Sequence, residues 1–105
     1  MKIPADVLKY LKTKGGEDSS VDVIEVSSDE MASLNQQFMG RSGATDVLSF
    51  PLDRIPGEKD NFIGTVIVCG DIIKKQAIQN GKTYQEEFEF LLRHGIDHLL
   101  GIHHQ

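Results

Sequence analysis

Apolar residues at helical spacing alternate along the chain with short β-branched runs, and glycine or proline separates most of them. In "PADVLKYLKTKGG" the apolar Val7, Leu8 and Leu11 recur at helical intervals as far as Gly15-Gly16, which predicts a short amphipathic helix with a glycine stop. "SVDVIEVS" places Val21, Val23, Ile24 and Val26 in a β-branched run suited to a strand. Ser27, with Glu30 three residues later, predicts a capped helix through "SDEMASLNQQFM" that Gly40 ends. "RSGAT" is turn chemistry, "DVLSF" a second strand closed by Pro51, and "RIPGEKDN" a polar loop. "FIGTVIVC" is the most strongly β-branched run and reads as a central strand. "DIIKKQAIQ" follows as a helix with Asp71 as its N-cap and Asn80-Gly81 as its stop. Thr83 and Glu86 form a second capping box, opening the last helix, "YQEEFEFLLRHGIDHLL", which Gly101 should end.

The order helix, strand, helix, strand, strand, helix, helix predicts an α+β fold. Helices would pack on a small mixed sheet of three or more strands, with a histidine-bearing helix at the C-terminal end. With 105 residues and no repeat or linker, residues 1–105 form one domain. The apolar share of 39% and charged share of 26% are those of an ordinary globular chain. No apolar stretch approaches the length of a membrane span, and the N-terminal residues lack the apolar run of a signal peptide. Cys69, the single cysteine, cannot form an internal disulfide and reads as a small buried apolar side chain. A cytoplasmic location is therefore expected.

Charge narrows the partners. A net charge of −5 argues against binding nucleic acid by bulk electrostatics, though a local basic cleft could still meet RNA. The gatherings Lys9, Lys12, Lys14 and Lys74, Lys75 read as solvated helix faces.

All four histidines fall in "RHGIDHLLGIHHQ". His94 and His98 are four residues apart, about 400° around an α-helix, so both imidazoles stand on one face a turn apart. Gly101 permits a left-handed turn that reverses the chain, and His104, six residues beyond His98, could then bring a third imidazole to the same ion. Three neutral nitrogens and an open position make up the donor set of catalytic zinc. One zinc ion per chain, held by His94, His98 and His104, is the expectation, although imidazoles also accept nickel and copper. His103 reads as an exposed neighbour. The HxxxHxxGxxH outline resembles the metzincin peptidases, whose first histidine is followed by a glutamate base. Here that position is Gly95, which cannot move a proton. Asp97 lies about 100° around the helix from His98 and faces away from the ion, with solvent contact or support of a ligand as its roles.

"HGIDHLLGIHH" is also similar to the HGxLHLxGYDH motif of the YbeY-type endoribonucleases, the bacterial rRNA maturation factors. "LNQQFMGRSGATDVLSFPLD" resembles that family's LNxxYRG and TDVLSFP signature, and "IGTVIVC" stands where it has LGDIVIC. The resemblance runs from about Val21 to His104. It implies an α+β fold, a zinc-type site of His94, His98 and His104, and metal-dependent cutting of single-stranded RNA. It further implies work on ribosomal RNA and the ribosome, in rRNA maturation and ribosome quality control, with no DNA or membrane partner. Oligomeric state is left open.

Several positions depart from the pattern. The family arginine falls on Met39, and Arg41, two residues on, is the candidate replacement as the catalytic or phosphate-contacting cation, against plain surface exposure. The aspartate after the strand glycine falls on Thr65, the leucine before the second histidine on Asp97, and the aspartate before the last ligand on His103. The family continues past the third ligand, so the domain reads as short at its C-terminus. Thr45 or Asp46 could fix the turn bordering the expected site, with Asp46 supporting a histidine N–H, or both could simply bond their own backbone in the turn. The departures motivate an alternative, a non-catalytic, metal-stabilised, ribosome-associated domain.

Overall fold

A computed structural model of the chain describes residues 2–52 and 61–102. Most of the expected polar loop, and His103 and His104, lie outside the described residues. The elements are α1 (Ala5–Gly15), β1 (Ser20–Val26), α2 (Ser28–Met39), β2 (Val47–Pro51), β3 (Phe62–Cys69), α3 (Gly70–Gln79) and α4 (Tyr84–Leu99), in the predicted order.

The strands form one sheet in the order β1-β3-β2, with β1 parallel and β2 antiparallel to β3. The most β-branched run is thus the central strand, and Val66 is paired with both Val23 and Ser49. Central position requires apolar residues on both faces. Val66 and Val68 point into a cluster with Val7, Leu11, Phe88, Leu92 and Ile96, which belong to α1 and α4. Cys69 and Ile67 point the other way, toward Met31 and Leu34 of α2. Helices therefore cover both faces. Pro51 closes β2, an edge strand, where a missing N–H is tolerated.

The caps explain where the helices begin. Thr83 Oγ1 accepts from the Glu86 N–H at 3.1 Å, while Glu86 Oε1 accepts from the Thr83 N–H at 3.0 Å, a complete capping box for α4. That exchange holds the Glu86 carboxyl below its ordinary pKa, chiefly through the bond from the Thr83 backbone. Ser27 Oγ accepts from the Glu30 N–H at 3.2 Å and caps α2. The α3 cap differs from expectation. Because β3 runs straight into the helix, Cys69 is the N-cap residue and Asp71 already lies in the first turn, where it accepts from Ser28 Oγ at 3.4 Å. A carboxylate in that turn still meets the positive end of the helix dipole. Cys69 is fully buried, as its apolar strand implied.

Candidate functional site

Helix α4 is seated on the sheet by Phe88, Leu91, Leu92 and Ile96, all buried. Gly95 marks the closest approach. A Cβ built there would stand 2.9 Å from Val66 Cγ1, 3.2 Å from Val66 Cγ2 and 3.1 Å from Ser49 Oγ. Ser49 Oγ also donates to the Gly95 carbonyl at 3.3 Å, tying β2 to the helix at this level. The missing peptidase base thus has a structural counterpart. Any side chain at position 95 would start out toward the sheet.

With that face against the sheet, His94 and His98 fall on the flank of α4 that borders a cleft of about 540 Å³. Their ring centroids are 4.4 Å apart and the rings are tilted by 54°. His94 is half-buried and His98 exposed. Two imidazoles this close on one rigid helix suit two donors of a single ion. Just beyond them the helix ends in a Schellman motif. The Gly101 N–H donates to the His98 carbonyl at 3.1 Å and the Ile102 N–H to the Asp97 carbonyl at 2.8 Å, with Gly101 at φ +74°. The backbone reversal expected of Gly101 is present; His104, the expected third ligand, lies outside the described residues. Among the described residues no group of three or more His, Cys, Asp or Glu side chains is gathered to hold an ion.

The opposite wall comes from the end of α2 and the turn that follows. Gly40, at φ +65°, ends α2, and Asn35 fixes the turn by donating from Nδ2 to the Gly43 carbonyl at 2.9 Å. This brings Arg41, an exposed cation, to the lining of the histidine cleft, together with Met39, Thr45 and Asp46. Thr45 Oγ1 donates to Asp46 Oδ1 at 3.3 Å, and the Asp46 carbonyl accepts from the Cys69 N–H at 3.0 Å. The first bond lies within the turn and the second ties it to the end of β3. Thr65 sits in β3 opposite Asp22 and Phe50 and is not among the cleft-lining residues.

Asp97 corrects one expectation. Solvent contact was one role foreseen for it, yet it is only 3% exposed. The Tyr10 hydroxyl of α1 donates to Asp97 Oδ1 at 2.5 Å, and that bond raises the Tyr10 pKa above its ordinary value, with burial adding to the effect. Asp97 does not line the histidine cleft. Its direction around the helix was legible, but its burial was not, because the partner comes from 87 positions away.

Two further residues had no role assigned from the sequence, although Ser49 stands in the TDVLSFP signature. Ser49 lines the cleft and holds α4, and Phe90, one turn before His94, stands in the cleft wall with its ring 12° from the His94 plane. The four-residue spacing from Phe90 to His94 was the available signal.

The class defined by these observations is a small α+β domain whose C-terminal helix presents paired imidazoles to a polar cleft. The profile of the family described as Endoribonuclease YbeY matches residues 2–105, and the chain belongs to that family. It is similar to Endoribonuclease YbeY of Cutibacterium acnes, 40% identical over 92 residues that cover 82% of this chain and 59% of the relative. The corresponding protein of Nautilia profundicola is 38% identical over 88 residues, covering 84% of this chain and 61% of the relative. The chain thus spans about six tenths of the length of the curated relatives it matches. The solution structure of TM1509 from Thermotoga maritima shares the fold at a TM-score of 0.59 and 37% identity, covering 100% of this chain and 71% of that one. No described helix is long and apolar enough to cross a membrane.

Proposed function

We propose that the histidine cleft is the cutting site of a metal-dependent endoribonuclease that acts on single-stranded RNA during ribosomal RNA maturation and ribosome quality control, in the cytoplasm. The observation that supports this reading best is the meeting of His94, His98 and Arg41 on one cleft in a chain of this family. His94 and His98, joined by His104, would hold one zinc ion, and when bound it supplies Lewis-acid charge for a phosphate oxygen. The remaining chemistry belongs to the protein. Cutting a phosphodiester builds negative charge on the non-bridging oxygens, and the planar fork of Arg41 can donate hydrogen bonds to two of them at once. Its position after Gly40 and before Gly43 gives it the reach of a turn residue. Asn35 limits that freedom through its bond to Gly43. Gly95 and Ser49 hold α4 against β2 and β3, so the histidines keep their distance from the opposite wall.

The test is cleavage of an end-labelled RNA that contains both a hairpin and a single-stranded tail, with zinc-loaded wild-type chain and His98→Ala. Cuts confined to the tail and lost in the variant are expected. Equal inertness of both proteins across several metals refutes the reading.

One observation favours the second reading, a metal-stabilised, ribosome-associated domain without catalysis. Met39, which cannot supply a cation, occupies the family's arginine position and lines the same cleft. In that case zinc raises the melting temperature while RNA stays intact.

A further inference from the structure

Phe90 is 49% exposed on a helix that buries the neighbouring Phe88, Leu91 and Leu92. Its placement follows from helix geometry. Phe90, His94 and His98 occupy positions i, i+4 and i+8, so they form one ridge with about 6 Å of rise between successive members. The Phe90 and His94 rings lie near parallel, 12° apart with centroids 6.5 Å from each other.

The ring borders three hollows. It lines the histidine cleft, a hollow of about 360 Å³ that it shares with His94, Tyr10, Arg93 and Asp97, and one of about 240 Å³ with Lys82, Arg93, Glu86 and Glu89. Lys82 Nζ stands 5.0 Å from the Phe90 centroid. Two cations and two carboxylates balance in this last hollow, so it offers no net charge to draw a phosphate. Lys82 Nζ lies over the ring, so a neutral, flat group stacking there would displace this flexible, exposed ammonium to its own edge.

Exposed aromatic faces flanked by cations are how proteins hold single-stranded nucleic acid without reading its sequence. We propose that Phe90 is a nucleobase platform. A base of the single-stranded RNA next to the cut stacks on its ring while the scissile phosphate lies at His94 and His98. This rests on the RNA-cutting reading above and adds to it the group that seats the flanking nucleotide. It also supplies a physical reason for single-strand preference, since a base paired within a duplex has no free face to offer.

The chain contains no tryptophan, so Phe90→Trp introduces a single indole whose fluorescence reports on the ridge. The experiment titrates zinc-loaded Phe90→Trp with a short single-stranded RNA and with the same strand in a duplex. In parallel, the affinities of wild type, Phe90→Ala and Phe90→Trp are measured on the intact single strand and on versions lacking one base at successive positions. The single strand should quench the indole and the duplex should not. Phe90→Ala should weaken binding about tenfold, within the range of one base–aromatic stack, while Phe90→Trp keeps wild-type affinity. Removing one particular base should weaken wild type by a similar factor and leave Phe90→Ala unchanged. Rescue by tryptophan and dependence on a single base separate stacking from a mere disturbance of His94.

If wild type cuts and binds single strands while Phe90→Ala binds them equally well, the platform is refuted and the cutting site stands. A ridge that serves a protein partner would give that result. If wild type binds no single-stranded RNA, both the platform and the reading beneath it fall.

Discussion

Replacing Gly95 by alanine tests the seating of α4. The new Cβ would lie 2.9 Å and 3.2 Å from the two Val66 methyls and 3.1 Å from Ser49 Oγ. Comfortable carbon–carbon contact begins at about 3.5 Å, so about half an ångström of room must be found. Val66 cannot readily supply it, because it is fully buried in the central strand and a β-branched side chain has few rotamers. The helix must lift instead. Overpacking of this size costs about 1–3 kcal/mol, whereas alanine gains about 1 kcal/mol over glycine inside a helix. The net expectation is a loss of ~1 kcal/mol, which lowers the melting temperature by about 4–8 °C in a domain of this size. Urea titration followed by circular dichroism measures the difference. The same substitution in a Val66→Ala background is the sharper assay. With both crowding methyls gone, only the Ser49 hydroxyl is still close, and it can rotate or shift aside. Gly95→Ala should then become neutral or stabilising by up to about 1 kcal/mol as the helix-propensity gain takes over. An equal cost in both backgrounds, or a stabilised Gly95→Ala single variant, would show that α4 does not rest on Val66 in this way.

Three further outcomes can be checked independently. Tyr10→Phe should cost about 1–2 kcal/mol in urea titrations by removing a hydrogen bond to a buried carboxylate, and adding Asp97→Leu should recover part of it because neither polar partner then remains. Arg41→Ala should slow RNA cutting roughly tenfold or more, less than the 10²–10³ of a rigid oxyanion donor because Arg41 is exposed, and Arg41→Lys should restore only part of the rate, as it lacks the bidentate fork. Glu86 has its pKa lowered in the folded protein, so its contribution is present above its unfolded value near 4.5 and lost as pH falls through the folded value. The stability difference between wild type and Glu86→Gln, measured by urea titration at pH 7 and pH 3, should therefore shrink at the lower pH.

The secondary structure was legible because its signals are local. The capping residues of α2 and α4, the left-handed glycines at 40 and 101 and the β-branched run of β3 act within a few positions of themselves. The pairing of His94 with His98 was legible for the same reason, as helix periodicity puts them on one face whatever surrounds them. Long-range contacts were not legible. That Gly95 is a contact surface for Val66 depends on how α4 crosses the sheet, and that Asp97 is buried depends on Tyr10 of α1. Asp71 was misjudged at the strand–helix junction, since no sequence signal separates Gly70 as a linker from Gly70 as the first helical residue. Arg41 reaches the cleft only because Asn35 folds the turn back over the end of α2.

The paired histidines are the centre of the site, and metal stoichiometry tests them most directly. Wild type, His94→Ala, His98→Ala and His104→Ala, each dialysed against buffered zinc and confirmed folded by circular dichroism, are compared by elemental analysis. One zinc per chain in wild type and a clear loss in all three variants is the expected result. Zinc bound as tightly by His94→Ala and His98→Ala as by wild type would contradict a metal site on α4.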